Sequence, residues 1–312
     1  MKTGGAIALI VLALAAPPAA LATCIPITTG RDLPTTIVLS GGGAKGAYEA
    51  GAVAALVEHG LPIRLVAGSS AGALSAAMIV AGRADRLEAT WRAITQDQVY
   101  AMRAPTFLAG LLPGWLTLRA LSNTTSLLDP RPLRELITAS VELERIRISS
   151  MGLVVMATDL TRRSPRVFDN RTVTVDALVA AAAVPGLFPA VEVDGAMLVD
   201  GGLTGRAPVL EALEAAPVER ALVVLSYSAD EHGTPPTTLR RSMEEAFETA
   251  MLHQINRDVE LARFKYPATD VQVLTPSAPL KLRPLEFDAD AISRALALGR
   301  ADALTCLRAL ED

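Results

Sequence analysis

The sequence predicts an α/β protein in three layers, α/β/α, with a mostly parallel central sheet. Three observations carry that expectation. Short apolar runs with almost no polar interruption recur along the chain, as strands buried on both faces require. Stretches of helical period separate them, which is the alternation of a parallel sheet built from crossover units. No linker-like stretch and no internal repeat divides the chain beyond its N-terminal segment, so 35–312 reads as one domain.

The elements follow in order. TTIVLS at 35–40, behind Pro34, is a first strand. A glycine run follows, and 47–59 then reads as a helix with Val53, Leu56 and Val57 on one face, stopped by Gly60. IRLVA at 63–67 is a second strand, and a small-residue helix runs from the GSSAG stretch to Ala81. A further helix covers 84–94. MGLVVMAT at 151–158 is a central strand, 166–168 a short one, and 175–183 a helix ended by Pro185. AMLV at 196–199 leads into Asp200, Gly201 and Gly202. ALVVLS at 221–226 and VQVLT at 271–275 are two more strands, and helices fill 238–264 and 289–310.

Composition closes off several function classes. Hydrophobic residues are 51% and charged residues 20% of the 312, enough for a packed core and against global disorder. Net charge is −4 and aromatics are 4%, which argues against a broad basic face or a stacking platform for nucleic acid. Two Cys and three His have no metal-ligand spacing, so no metal and no organic cofactor is expected.

Three motifs carry chemistry. GGGAKG, 41–46, lies between a strand and a helix, where glycines let the backbone approach a ligand and amides face negative charge. It fits the dinucleotide pattern G-x-G-x-x-G, but the second strand ends in VAGSS without the acid that would hold a ribose. GSSAG, 68–72, is a G-x-S-x-G centred on Ser70, with Gly68 and Gly72 flanking it. Such a serine projects from a sharp strand-to-helix turn as a nucleophile; the plainer reading is a helix N-cap. Asp200-Gly201-Gly202 is by itself a turn. A hydrolytic serine needs a base. Of the three histidines, His232, in the polar loop 228–235, is the serious candidate for a Ser70–Asp200–His232 triad of α/β-hydrolase order. Ser70 sits on only the second strand, which speaks against that arrangement.

Together, GGGAKG, GSSAG, AAVPGLFP at 182–189 and the D-G-G turn resemble the patatin-like phospholipase family in order and spacing. The resemblance implies a patatin-like α/β/α domain over 35–312 and a lipid acyl hydrolase working through a Ser-Asp dyad without histidine. Ser70 would be the nucleophile and Asp200 the general base. The amides of Gly41, Gly42, Gly43 and Ala44 would form the oxyanion hole, with Gly46, Gly68, Gly72, Gly201 and Gly202 shaping the turns. The implied substrate is a phospholipid or related lipid, met at a membrane surface. Arg206 is a departure, since many relatives carry Asn near that position. The alternative is a non-catalytic, membrane-associated binding protein on the same fold. An aspartate with an ordinary pKa of about 3.9 is a weak base, so the dyad requires desolvation or a strongly polarised serine.

Four further features complete the reading. Lys2, the apolar run 6–16, and Ala20-Leu21-Ala22 read as a signal peptide over 1–22, so the protein is expected to be exported, to the periplasm or the medium. The alternatives are an uncleaved anchor or a lipid on Cys24. In an oxidising compartment Cys24 and Cys306 could pair, or Cys306 be a buried thiol. The apolar stretch 106–121 reads as a core-facing hairpin or as a lid touching membrane. Lys45, the one charge in the glycine loop, reads as solvated or as facing an anionic headgroup.

Overall fold

The computed structural model describes residues 33–103, 116, 124–228 and 235–308. Its main sheet has strands in the order β10 (Asp270–Leu274), β9 (Arg220–Val224), β1 (Thr35–Leu39), β2 (Ile63–Ser69), β5 (Gly152–Asp159), β8 (Ala196–Asp200) and β7 (Val191–Val193). β6 (Ser164–Phe168) pairs with β5 off that path, and the small β3 (Ala101–Met102) and β4 (Leu128–Asp129) pair separately. From β10 to β5 every pairing is parallel, whereas β6, β8 and β7 add antiparallel pairings beyond it. The expectation of a mostly parallel sheet holds, with an antiparallel edge that the apolar runs alone did not announce.

The strands are apolar throughout because both faces are covered. Ile37, Leu39, Val66, Val155 and Leu222 join one core with residues of α1 (Gly46–Glu58), α2 (Ala71–Val80), α3 (Ala84–Ala93), α7 (Val175–Ala181) and α11 (Ala289–Arg308). Their neighbours Val38, Leu65, Ala67, Val154 and Val223 join a second core with α9 (Val209–Ala215) and α10 (Leu239–Lys265). Alternate residues of one strand thus serve two helical layers. Of the remaining helices, α4 (Gln96–Val99) and α8 (Gly202–Gly205) are single turns, whereas α5 (Arg131–Ser140) and α6 (Leu143–Ile148) add Leu133, Ile137 and Ile146 to the first core. Among the described residues no helix is long and apolar enough to cross a membrane.

The pairing register of β5 builds the site. Val155 and Met156 pair with Gly68 and Ser69 of β2, and also with Phe168 and Val167 of β6, so β2 and β6 occupy opposite edges. Ala157 pairs with Arg166 of β6 and with Asp200 of β8. A strand has only two edges, so β8 takes over the edge of β5 that β2 leaves. Ser69 stands opposite Met156 and Asp200 opposite Ala157, which sets Ser70 and Asp200 side by side.

Candidate active site

Three turns meet at that point. The first runs from β1 into α1. Gly41, Gly42 and Gly43 have φ of 73°, 119° and 59°, three consecutive left-handed residues that turn their amides away from the strand. Glu49 holds this loop from beneath. It is fully buried on α1, and its Oε1 accepts from the Ser40 amide (2.9 Å), the Ser40 hydroxyl (2.6 Å) and the Gly41 amide (2.9 Å). The Ser226 hydroxyl, at the end of β9, donates to the Gly41 carbonyl. The Ala44 amide donates to the Pro284 carbonyl at 2.8 Å. Of the four amides expected to make the oxyanion hole, Gly41 and Ala44 are therefore engaged. Gly42 and Gly43 donate to no group among the described residues.

The second turn joins β2 to α2. Ser70 has φ 54° and ψ −133°, a strained backbone for a residue with a side chain. It occupies the N-cap position of α2, yet its hydroxyl makes no capping bond, so the plain N-cap reading fails. The Ser70 amide donates to the Ala181 carbonyl at 3.0 Å.

The third turn follows β8. Asp200 is 4% exposed, and its Oδ1 accepts from the Gly202 amide at 2.7 Å. Oδ2 is buried with no hydrogen-bond partner. The Gly201 amide donates to the same Ala181 carbonyl that holds Ser70, at 3.3 Å, and the Asp200 amide donates to Ala183 at 2.9 Å. The end of α7, within the AAVPGLFP neighbourhood, thus ties the serine turn to the aspartate turn. Burial raises the Asp200 carboxyl above its ordinary pKa, while the Gly202 amide, the nearby Ser70 hydroxyl and the charge of Arg206 pull it down. The result is a desolvated carboxylate beside a serine hydroxyl, the condition a weak base needs.

Gly46, Gly68, Gly72, Gly201 and Gly202 all lie in these turns or at their edges. His232 lies outside the described residues, as does 106–121 apart from Leu116 alone. Cys306 is buried on α11 and disulfide-bonded, which removes the free-thiol reading; Cys24 lies outside the described residues. Lys45 overturns the solvated reading. It is 3% exposed, its Nζ lies 3.6 Å from Glu248 of α10 and 4.5 Å from the Tyr227 ring centre. A charge between glycines reads as surface in a sequence; α10 and Tyr227, brought over the loop from distant parts of the chain, cover it.

Sequence reasoning missed Glu49 and Ser226. Glu49 is an acid inside an otherwise apolar helix (GAYEAGAVAAL), and that misfit was the available signal. Ser226 had none, since a serine ending a strand is ordinary. Two surface clefts, of about 470 and 570 Å³, open at the opposite end of the sheet around Arg64, and neither is lined by Ser70, Asp200 or the glycine loop. No group of three His, Cys, Asp or Glu among the described residues could hold a metal ion.

Residues 37–213 match the family described as patatin-like phospholipase. The chain belongs to the patatin-like phospholipase family. Two kinds of curated relative are similar to it. An uncharacterised NTE family protein of Mycobacterium tuberculosis is 30% identical over 174 residues, 55% of this chain and 44% of that protein. A cGAMP-activated phospholipase of Pseudomonas aeruginosa is 30% identical over 220 residues, 62% of each chain. The chain spans about half the length of the NTE family relatives it matches. Among solved structures, VipD of Legionella pneumophila aligns over 89% of this chain and 67% of its own, at 14% identity and a TM-score of 0.46. The type III effector ExoU, solved from Pseudomonas aeruginosa, aligns over 89% of this chain and 53% of its own, at 17% identity and a TM-score of 0.40.

Proposed function

We propose that this patatin-like protein hydrolyses fatty-acyl esters of phospholipids or related lipids through a Ser70–Asp200 dyad and an acyl-enzyme. The observation that carries the reading is the strained Ser70 turn beside a buried carboxylate with an unpartnered oxygen. Asp200 accepts the hydroxyl proton as Ser70 Oγ attacks the ester carbonyl. The oxyanion that forms is held by the amides of Gly42 and Gly43, a contribution of about 3 kcal/mol per donor in a dry site. The alcohol or lysophospholipid leaves with the proton. Asp200 then takes a proton from water, whose oxygen attacks the acyl-enzyme, and returns it to Ser70 Oγ as the fatty acid is released. The phospholipase name of the Pseudomonas aeruginosa relative supports a lipid ester as substrate. The apolar N-terminal run and the small-residue motif that follows support export, with substrate met at a membrane surface.

The test is fatty-acid release from phospholipid vesicles by the purified protein. Ser70→Ala and Asp200→Ala are each expected to lower the rate by about 10³-fold or more, with His232→Ala close to wild type. Equal inactivity of wild type and both variants, on vesicles and on short activated esters, would sink the reading and favour a binding protein. Fractionation of cells carrying the full chain tests export; recovery in the cytoplasm alone counts against it.

A further inference from the structure

We propose that Arg206 is a positioning residue of the Ser70–Asp200 site, its buried guanidinium serving the aspartate turn and the glycine loop together. The inference rests on the dyad reading above. Arg206 caps α8, four residues past Gly202, and is 7% exposed. Its side chain leaves the aspartate turn and crosses to the glycine loop. A methyl group built on Gly202 would lie 3.7 Å from its Cδ, and one built on Gly42 3.0 Å from its Nη2. At the far end Nη2 donates to the Tyr227 hydroxyl and Nη1 contacts Met251 Sδ on α10. The guanidinium carbon lies 5.0 Å from the Tyr227 ring centre, and Lys45 lies over the same ring. Nε is buried with no hydrogen-bond partner.

A long cation is costly to bury, and a buried unpaired donor adds to the cost. The surroundings show what offsets it. Two buried acids feel the charge, Asp200 from β8 and Glu49 from α1. Among the described residues no salt bridge joins Arg206 to either, so the charge acts through space. The other charged groups nearby, Lys45 of the glycine loop and Glu248 of α10, pair with each other across Tyr227. Burial pushes Glu49 up to about 8, and its oxygens are already held by the Ser40 and Gly41 donors, whereas Asp200 Oδ2 has no such partner. The guanidinium thereby favours the ionised base, and, filling the space a side chain on Gly42 would take, it spans the glycine loop and the aspartate turn. A side chain that merely filled space would need no charge there.

The experiment compares Arg206→Met, Arg206→Gln and Arg206→Lys with wild type, each checked for folding by a thermal melt. Aspartate labelled with ¹³C at the carboxyl carbon, with Asp200→Asn for assignment, reports the titration of Asp200 by NMR without any need for turnover. Ester hydrolysis against pH is measured beside it. The neutral variants are expected to move the Asp200 titration upward, and the acidic limb of kcat/KM with it. Arg206→Lys is expected to restore both. A folded neutral variant whose Asp200 titrates as in wild type overturns the inference, whatever its rate. Wild type without esterase activity, but with Asp200 shifted in the neutral variants, would instead defeat the dyad reading and leave the positioning role standing.

Discussion

Gly42 shows how much of the site hangs on single backbone positions. Its φ of 119° lies where side chains rarely go, and a methyl group there would approach Ser226 Oγ to 2.6 Å and Arg206 Nη2 to 3.0 Å. Gly42→Ala is expected to cost about 1–3 kcal/mol in a urea titration and to lower esterase activity by more than the stability loss explains. Activity at the wild-type level in Gly42→Ala would mean that the hole is elsewhere. Ser70 carries a similar strain, and α7 holds it there through the Ala181 carbonyl. Ser70 and Asp200 were legible as candidates because glycines bracket both in fixed patterns. Arg206 was legible only as a departure. That its guanidinium returns to the glycine loop depends on β8 taking over the edge of β5 that β2 leaves, which no local pattern encodes.

Between elements, α1 and β1 are coupled by one acid. Glu49 gathers both donors of Ser40 and the Gly41 amide, so the direction of the glycine loop depends on a residue in the first turn of the helix that follows it. Its folded-state pKa, about 8, lies above the ordinary glutamate value of 4.5. The folded protein therefore binds more protons than the unfolded chain between those values, and stability falls as pH rises through that window. Asp200, also raised, acts in the same direction. Urea unfolding between pH 5 and 8 is expected to show that decline. Glu49→Gln should flatten it by up to about 1.4 kcal/mol per pH unit where the group titrates. An unchanged slope in Glu49→Gln would refute the assignment. The helix itself was read correctly from its apolar face, but the acid within it was not weighed, because burial of one face says nothing of what a lone carboxylate meets there. The short strands β7 and β6 were missed or barely marked for a related reason: β7 has three residues, too few for a period to be seen.

For the whole molecule, the closest join is between α1 and α11, at opposite ends of the chain. Gly299 lies so near the α1 backbone that a methyl group there would come within 3.0 Å of the Ala52 amide, besides overlapping the Tyr48 carbonyl. The Tyr48 hydroxyl donates to Asp302 at 3.0 Å, and Arg300 pairs with both Glu58 and Glu88. Since α1 also carries Glu49, this packing reaches the site. Gly299→Val is expected to lower stability by about 3 kcal/mol, read as a fall in melting temperature, and wild-type stability would refute the close packing. By itself the sequence determined the fold class, the order of the main strands and helices and the three motif turns, because hydrophobic period and glycine placement are local properties of the chain. The tertiary structure alone decided which amides remain free for an oxyanion, what buries Lys45, and what Arg206 and Glu49 face. Those outcomes depend on strand order and on helices packed from distant parts of the chain, and burial and field are properties of what surrounds a residue rather than of its neighbours in sequence.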